Sequence, residues 1–310
     1  MNPLVSIIMA TYNRSRSLYY SVKSVINQTY QNWELIIVGD GVTDDTEYVV
    51  KSFNDLRIRF YNLPENHGEQ SAPNNFGLMN SKGDYIAFLN HDDFWFADHL
   101  DVQIKKLNDS GSDFVFSMVG MYGNFGEKTL ACVSHTGYYE PGMMVFASCW
   151  FMKRNVIDKI GYWKSYYEII EFPSEEYIFR AWKNHIKIVF NPCLTVIKIA
   201  STMVKNSYKN QDFSLNSEIY DNIINNTKFR EEFLTATIIS SPSEYSIKMY
   251  FFKLFRELIR EFSRLVAKIF DINPLIIINF VAYRGGKGKG INALRKKRGL
   301  NKLRYKNEKS

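Results

Sequence analysis

The 310-residue sequence has few cysteines and lacks any long hydrophobic run. Its three cysteines, Cys132, Cys149 and Cys193, include no Cys-x-x-Cys pair, so neither a disulfide framework nor a cysteine zinc site is expected. No apolar stretch approaches the roughly 18 residues that a membrane-spanning helix needs. With 17 Gly and 8 Pro, collagen-like and low-complexity chains are also excluded. We therefore expect a globular cytoplasmic protein with reduced thiols.

Charge is distributed unevenly along the chain. Residues 241–310 hold 17 Lys and Arg against 5 Asp and Glu, whereas residues 1–240 hold 22 against 27. Between positions 251 and 269 apolar residues recur at helical spacing, and four cations lie on another stripe of the same helix. Such a basic amphipathic helix is typical of segments that bind anionic membrane surfaces, although packing on the rest of the protein is the alternative. The tail lacks a recognition module, so nucleic acid is not expected as a partner.

Short apolar runs alternate with helical stretches up to about residue 120. Strands are predicted at residues 5–9, 35–38, 58–61, 85–89 and 114–118, and helices near Ser15, Thr43, Glu69 and Ala97. This alternation predicts an α/β fold with a mostly parallel central sheet flanked by helices. Farther on, a helix is predicted over 174–184 and two closing strands over 186–190 and 195–199. We predict one large domain over residues 1–240, with halves meeting near residue 120, and a helical tail over 241–310.

Two polar clusters follow the first two predicted strands, at the edge of a parallel sheet where ligands bind. In the first cluster, residues 10–14, Thr11 and Tyr12 precede Arg14, so an aromatic ring can stack on a base and a guanidinium can meet phosphate. In the second, a glycine on each side of Asp40 lets the backbone approach a ligand whose N–H or hydroxyl the carboxylate can bind. The structural alternatives are packing for Tyr12 and a plain capped turn for Asp40.

Two adjacent carboxylates, Asp92 and Asp93, follow the strand predicted over residues 85–89. Like charges this close repel each other unless a cation or donor is nearby. Oxygen ligands suit Mg²⁺ or Mn²⁺, which take the rest of their ligands from water and substrate phosphates. His91 is a further ligand candidate, although a local role is the stronger interpretation. Stabilisation of a helix N-terminus is the alternative for the acids.

Acidic and aromatic residues also occur in the second half of the predicted domain. Glu175 and Glu176 lie at the start of the helix predicted over 174–184, where catalysis and stabilisation of the helix dipole are both consistent with the pattern. Trp150 is either a sugar-stacking residue or part of the core. The sequence alone leaves both alternatives open.

In their order along the chain, these motifs resemble the family 2 glycosyltransferases of GT-A fold. The resemblance rests on Ala-Thr-Tyr-Asn-Arg, Gly-Asp-Gly-x-Thr-Asp-Asp and Gly-Asp-Tyr-Ile-Ala-Phe-Leu-x-x-Asp-Asp-x-Trp; it is specific over residues 3–100 and extends to about residue 200. It implies that Tyr12 stacks on the donor base and that Asp40 binds the base or ribose. It also implies that Asp92 coordinates the metal ion that bridges the donor diphosphate.

The resemblance also suggests roles for residues outside these motifs. Glu176, the second acid, matches the catalytic base of inverting members, with Glu175 as the weaker candidate, and Trp150 falls in the strand that lines the sugar pocket. Asn90 replaces the first aspartate of the metal motif and keeps a side chain that can bind ribose. The family's Ala-Arg-Asn is Ala-Pro-Asn here, so Asn74 in this donor-side helix lacks a cationic neighbour.

The activity implied by the resemblance is a metal-dependent, inverting hexosyl transfer. The donor would be a nucleotide diphosphate sugar, UDP-linked, and the acceptor a hydroxyl of a glycan or lipid-linked molecule in cell-surface polysaccharide synthesis. Mn²⁺ or Mg²⁺ would be the cofactor. The alternative is a catalytically inactive nucleotide-sugar-binding partner in a polysaccharide assembly complex. Under either interpretation, the basic tail makes the inner face of the membrane a candidate location for the protein.

Overall fold

The computed structural model describes residues 2–123, 127–199, 206–208, 213–239, 269–283 and 285–303, with five positions between 258 and 265. Nine strands in this part of the chain form one sheet. They are β1 Val5–Thr11, β2 Trp33–Gly39, β3 Ile58–Asn62, β4 Tyr85–Phe88, β5 Asp93–Trp95, β6 Phe114–Tyr122, β7 Lys128–Ala131, β8 Trp150–Lys153 and β9 Ile188–Ile199. The sheet order is β3-β2-β1-β4-β8-β6-β9-β5, with β7 beside β6.

Helices cover the sheet. They are α1 Ser15–Ile26, α2 Thr46–Ser52, α3 Ser71–Met79, α4 His99–Ser110, α5 Asn155–Ile160, α6 Pro173–Lys183, α7 Ser214–Asn225, α8 Phe229–Ile239, α9 Pro274–Ala282 and α10 Lys289–Arg298. Successive residues of the central strand β1, including Val5, Ile7, Ile8 and Met9, are fully buried. A continuous apolar run of this kind is typical of a parallel strand covered on both faces.

The sheet changes character between its two halves. Strands β3, β2, β1 and β4 are parallel, so their carboxyl ends lie at one edge. Strand β8 is antiparallel to both β4 and β6, and the short β5 is antiparallel to β9. This mixed α/β architecture confirms the predicted fold class.

The two closing strands predicted from the sequence are one strand, β9. Its pairing with β6 is irregular between Ser117 and Val119, opposite the part of β9 that contains Pro192. Proline has no amide hydrogen for the ladder, and a bulge accommodates it without ending the strand. Residues 201–241 are largely polar and have no clear periodic pattern, yet α7 and α8 lie within this range. Their residues Ile219 and Phe233 pack in a second small apolar cluster with Phe94 of β5.

The predicted tail helix, with its basic stripe, lies largely outside the described residues. Farther along, α9 and α10 pack on the remainder of the protein. Asn279 donates a hydrogen bond to Glu175 of α6, and Arg295 donates one to the carbonyl oxygen of Gly68. None of the described helices combines the length and apolar character required to cross a bilayer. The division at residue 240 stays a prediction, but this part of the tail contacts the preceding domain directly.

Candidate active site

A cavity of about 160 Å³ lies at the carboxyl edge of the parallel strands. The side chains that line it from this edge follow β1, β2 and β4: Thr11, Tyr12, Asp40, Asn90, His91 and Asp92. Their convergence has a simple cause, because parallel strands bring their carboxyl ends to the same edge of the sheet. The three polar clusters singled out in the sequence therefore meet in one place.

Asp40 is fixed at the cavity by backbone amides of the segment before α3. Its Oδ1 accepts a hydrogen bond from the amide of His67 at 2.9 Å, and its Oδ2 accepts one from the amide of Gly68 at 2.8 Å. Burial raises the pKa of Asp40 in spite of these two bonds. The turn itself requires glycine at Gly41, where φ is +66° and a Cβ atom would lie 2.7 Å from the backbone nitrogen of Asn66.

Asp93 is a structural residue. Its carboxylate is fully buried and accepts hydrogen bonds from Nζ of Lys198 at 3.0 and 3.1 Å, Oγ of Ser148 at 2.5 Å and Nδ2 of Asn90 at 2.9 Å. The amide of Asn90 is thus used to hold Asp93, while the residue still lines the cavity. The predicted ribose contact of Asn90 stays a prediction.

Asp92, unlike its neighbour, lines the cavity. Burial alone would raise the pKa of its carboxyl group, but nearby positive charges outweigh this effect and hold the pKa well below its usual range. Lys198 contributes most, with Arg14 and Arg298 adding to it, and His91 contributes where its imidazole is protonated. The group is therefore ionised at neutral pH.

His91 is neutral at physiological pH. Burial lowers the pKa of its imidazole, and the nearby arginines act in the same direction. Its Nδ1 lies 3.2 Å from the carbonyl oxygen of Ala10, which can only accept a hydrogen bond, so the proton sits on Nδ1. This leaves Nε2 with a free electron pair in a residue that lines the cavity.

A divalent cation in this cavity would take only part of its ligands from the protein and the rest from a bound molecule. Within the described ranges, no group of three or more His, Cys, Asp or Glu side chains is arranged to hold a metal ion. Asp92 nevertheless supplies one ionised carboxylate, and Mg²⁺ is commonly held by one or two carboxylates plus substrate phosphates. The donor set therefore fits a cation that binds with the phosphates of a nucleotide, with Asp92 as its protein ligand.

Two aromatic residues, Tyr12 and Tyr208, line one side of the cavity, whereas the predicted site residue Arg14 is not part of its lining. The ring of Tyr12 stacks on that of Tyr208, with centroids 6.5 Å apart and an interplanar angle of 30°. Arg14 is buried beside this pair, where it donates a hydrogen bond to the carbonyl oxygen of Ser207, and its guanidinium lies 5.0 Å from the centroid of the Tyr208 ring. Thr11 lines the cavity with a buried Oγ1 that has no hydrogen-bond partner among the described residues.

The two acids of α6 lie outside the residues that line the cavity. Glu176 pairs with Nζ of Lys164 at 2.8 Å and with Nε of Arg180 at 2.9 Å. Oε2 of Glu175 accepts hydrogen bonds from the amide of Phe172 at 3.1 Å and from Nδ2 of Asn279 at 2.8 Å. Burial raises the pKa of Glu175 to about 7. Glu175 therefore acts as a capping residue of α6, and the role of Glu176 stays a prediction.

Trp150 and Asn74 do not line the cavity either. The indole of Trp150 is fully buried and stacks on Trp163 and Tyr177, with centroids 5.4 and 5.9 Å away. The structure thus places Trp150 in the core and not at the wall of the cavity. Asn74 is buried within α3, where the neighbouring Pro73 is the residue that lines the cavity.

Sequence reasoning missed several residues that line the cavity, among them Glu69, Lys198, Tyr208, Arg295 and Arg298. Lys198 had a signal, because it interrupts an apolar closing strand. Burial raises the pKa of Glu69 to about 7, an effect that no local pattern indicates. Tyr208 and the two arginines lie far along the chain from the other cavity residues, and no sequence pattern around them indicates that they reach the cavity.

Curated proteins similar to this chain include two with named activities. "UDP-Glc:alpha-D-GlcNAc-diphosphoundecaprenol beta-1,3-glucosyltransferase WfgD" of Escherichia coli is 38% identical over 122 residues, which cover 39% of this chain and 46% of that protein. "Glycosyltransferase GlyA" of Streptococcus pneumoniae serotype 4 is 29% identical over 173 residues, covering 55% of this chain and 22% of that protein. The chain thus spans less than half the length of these relatives.

Solved structures share the fold at low sequence identity. S. aureus TarS 1-349 in complex with UDP-GlcNAc has a TM-score of 0.54 at 17% identity, over 76% of this chain and 73% of that one. Mannosyltransferase PcManGT from Pyrobaculum calidifontis, in complex with GDP-Man and Mn²⁺, has a TM-score of 0.54 at 13% identity, over 91% and 87%. The fold is that of the GT-A glycosyltransferases. The family model "Glycosyl transferase family 2" matches residues 6–161, half of the sequence, and the chain therefore belongs to glycosyltransferase family 2.

Proposed function

We propose that this glycosyltransferase moves a hexose, with inversion, from a UDP-linked donor to a hydroxyl group of a lipid-linked glycan. One observation carries the proposal: a single cavity holds Asp40, fixed by two backbone amides, and the ionised Asp92. The first suits hydrogen-bond donors of a base or ribose, and the second suits a cation that binds phosphates. The UDP-linked sugars of WfgD and TarS and the lipid-linked acceptor of WfgD support the choice of substrates.

The residues along the cavity have different roles. Tyr12 provides a ring face for the base, Asp40 accepts its N–H or a ribose hydroxyl, and Asp92 holds the divalent cation. When bound, Mn²⁺ or Mg²⁺ stabilises the charge that develops on the departing diphosphate. His91, neutral and on the same wall, offers Nε2 as a further acceptor.

Glu176 is our candidate for the general base that takes the proton of the acceptor hydroxyl. It lies in the first turn of α6, where a negative charge interacts favourably with the electropositive helix N-terminus. Arg180, which is mostly buried, holds the carboxylate in place. The side chain of Lys164 is 48% exposed, so this partner can move aside and leave a lone pair of Oε1 for the acceptor hydroxyl, while Arg180 stays bound to both oxygens.

Action at a membrane surface fits a lipid-linked acceptor. Apolar side chains in and beside the tail are solvent-exposed, among them Phe262 at 67%, Phe270 at 64% and Val281 at 72%. The same tail carries a net charge of +12 over residues 241–310. Cations and apolar side chains together favour adsorption to an anionic leaflet, with each cation near the surface contributing about 1 kcal/mol. We propose the cytoplasmic face of the membrane as its place of action.

A donor screen tests the proposed function. The full chain is incubated with UDP-, GDP-, ADP- and dTDP-linked hexoses, with and without Mn²⁺, and thermal unfolding is recorded. We expect stabilisation by a UDP-linked sugar that depends on Mn²⁺, followed by release of UDP when a polyprenyl-diphosphate-linked glycan is added. Binding without any turnover on such acceptors would favour the inactive-partner alternative, and stabilisation by another nucleotide would contradict the UDP assignment.

A further inference from the structure

The C-terminal helix α10 contributes directly to the wall of the cavity. Arg298, at the last position of this helix, lines the cavity, and its buried Nε has no hydrogen-bond partner within the described part of the chain. Its guanidinium lies 5.7 Å from the centroid of the Tyr208 ring. A buried guanidinium donor without an acceptor is costly unless a ligand provides one. The chemistry of the missing acceptor is that of an anionic oxygen.

The position of this arginine is fixed from two sides. The amide of Tyr208 donates to the carbonyl oxygen of Arg298 at 3.2 Å, and the amide of Asn206 donates to that of Lys297 at 2.8 Å. Arg295, one turn earlier, is buried and donates to the carbonyl oxygens of Gly68 at 2.7 Å and Asn301 at 2.8 Å. The helix end is therefore tied to the segment beside Tyr12 and to the segment that holds Asp40.

The charges around Asp92 favour an anion at this wall. Lys198, which acts on Asp92, is also paired with the buried Asp93 at 3.0 Å. The positive charge of Arg298, from the C-terminal helix, also lowers the pKa of the Asp92 carboxyl group. A diphosphate bound through a cation at Asp92 would bring phosphate oxygens to this side of the cavity, where an arginine provides a planar, charged donor.

We propose that Arg298 binds the diphosphate of the nucleotide sugar and that Arg295 is a positioning residue, so that α10 completes the donor site. The proposal rests on the proposed function. Both arginines lie well beyond residue 161, where the family match ends. The proposal thus gives a binding role to a part of the chain whose sequence indicates only a basic helical tail.

Calorimetry on the full chain tests this proposal with three probes: UDP, uridine and inorganic pyrophosphate, all in the presence of Mg²⁺. We expect R298Q to weaken the binding of UDP and pyrophosphate about 10-fold or more, because a charge-assisted hydrogen bond is lost, and to leave uridine within about twofold of the unsubstituted protein. R298K, which keeps the charge but not the planar fork, should lie between them. K296Q, on an exposed position of the same helix, is the matched control and should bind all three probes normally.

The outcomes separate this proposal from the proposed function. Equal pyrophosphate affinity of the unsubstituted protein and R298Q overturns the role of Arg298, whichever base the donor carries. A parallel loss for UDP and uridine also overturns it, since that pattern indicates a distorted site. If the unsubstituted protein binds pyrophosphate but not UDP, and R298Q loses the pyrophosphate, the uridine assignment fails and the role of Arg298 stands. Binding of neither probe contradicts both.

Discussion

Nδ2 of Asn279 lies 2.8 Å from Oε2 of Glu175, so helix α9 of the basic tail is hydrogen-bonded to the first turn of α6. The pair is buried, and the tail therefore bears on the acidic helix start as well as on the donor cavity. Glu175 and Glu176 are adjacent in sequence, yet one is bound to the tail and the other to Lys164 and Arg180. Their substitution should have different consequences.

Glu175 should make stability depend on pH. Its pKa is about 7 in the folded protein and 4.5 in the reference state, so the folded chain binds this proton more tightly. The free energy of unfolding should therefore fall as the pH rises from about 4.5 to about 7. E175Q keeps both hydrogen bonds with a neutral group, and it should remove part of this slope and stabilise the protein at pH 8 by on the order of 1 to 3 kcal/mol. Urea unfolding at pH 5 and pH 8 measures both effects, and an unchanged slope would contradict the assignment.

Glu176 should affect turnover rather than donor binding. Removal of a general base typically lowers the rate about 10²- to 10⁴-fold, so E176Q should bind UDP-sugar normally and transfer it very slowly. E175Q is the matched control and should stay active at neutral pH. A transfer assay with both variants at saturating donor decides the matter: the opposite pattern moves the base to Glu175, and two active variants return both acids to a structural role.

Asp92 should have opposite effects with and without metal. In Mn²⁺, D92N removes the proposed protein ligand and should weaken UDP binding about tenfold or more. In EDTA the same variant removes a negative charge beside Lys198 and Arg298, so UDP should bind as tightly as before or more tightly. Calorimetry in the two buffers provides the comparison. Equal loss of affinity in both would argue against a metal ligand.

Asp93, one residue later, should affect stability instead. D93N leaves Lys198, whose side chain is only 11% exposed, without its buried counter-ion, at a cost of about 3 to 5 kcal/mol. The double variant D93N/K198M removes the stranded charge and should recover a large part of this loss. Denaturant unfolding of the two variants tests the pair, and a double variant no more stable than D93N would contradict this account.

Gly41 should be intolerant of any side chain. G41A places a Cβ atom 2.7 Å from the backbone of Asn66 at a φ of +66°, so it should destabilise the protein by more than the roughly 1 to 2 kcal/mol of the backbone conformation alone. G137A is the matched control, because φ is +81° there and nothing lies within 4 Å of the added atom. Thermal unfolding should rank G41A well below G137A, and equal losses would show that the contact is relieved by movement.

Membrane adsorption should depend on the exposed apolar residues of the tail. The variant F262Q/F270Q should float poorly with vesicles that contain anionic lipid, because two exposed phenyl rings no longer enter the interface. L56Q changes a fully exposed leucine in the first half of the chain and serves as the control. Undiminished flotation of F262Q/F270Q would contradict the membrane role of this surface.

The first half of the fold was predictable because its signals are local. The parallel strands β1, β2 and β4 are apolar runs followed by polar residues, and the sequence therefore indicated both the strands and the polar edge that contains Asp40 and Asp92. Helices α7 and α8 were missed because their apolar residues are interspersed with polar and charged ones. Strand β5 was missed because three residues, Asp93–Trp95, are too short to show an alternation.

The rest of the site depends on contacts between distant parts of the chain. Arg295 and Gly68 are 227 positions apart, and no pattern in either segment indicates that they meet. Trp150 was ambiguous for another reason: a large aromatic residue in a strand suits a sugar pocket and a core equally well. Only its burial and the contacts of its ring with Trp163 and Tyr177 distinguish these cases.

The different orientations of the Asp92 and Asp93 carboxylates depend on the register of β5 against β9. Asp93 pairs with Lys198, and this pairing directs its carboxylate into the protein and leaves that of Asp92 at the cavity. Because side chains alternate along a strand, a shift by one residue would exchange the two directions. A one-residue deletion between β4 and β5 that shifted this register would thus preserve the acidic pair and still turn its cavity-facing carboxylate inward. Counting conserved acids in relatives is therefore insufficient, and the length of the connection must be conserved as well.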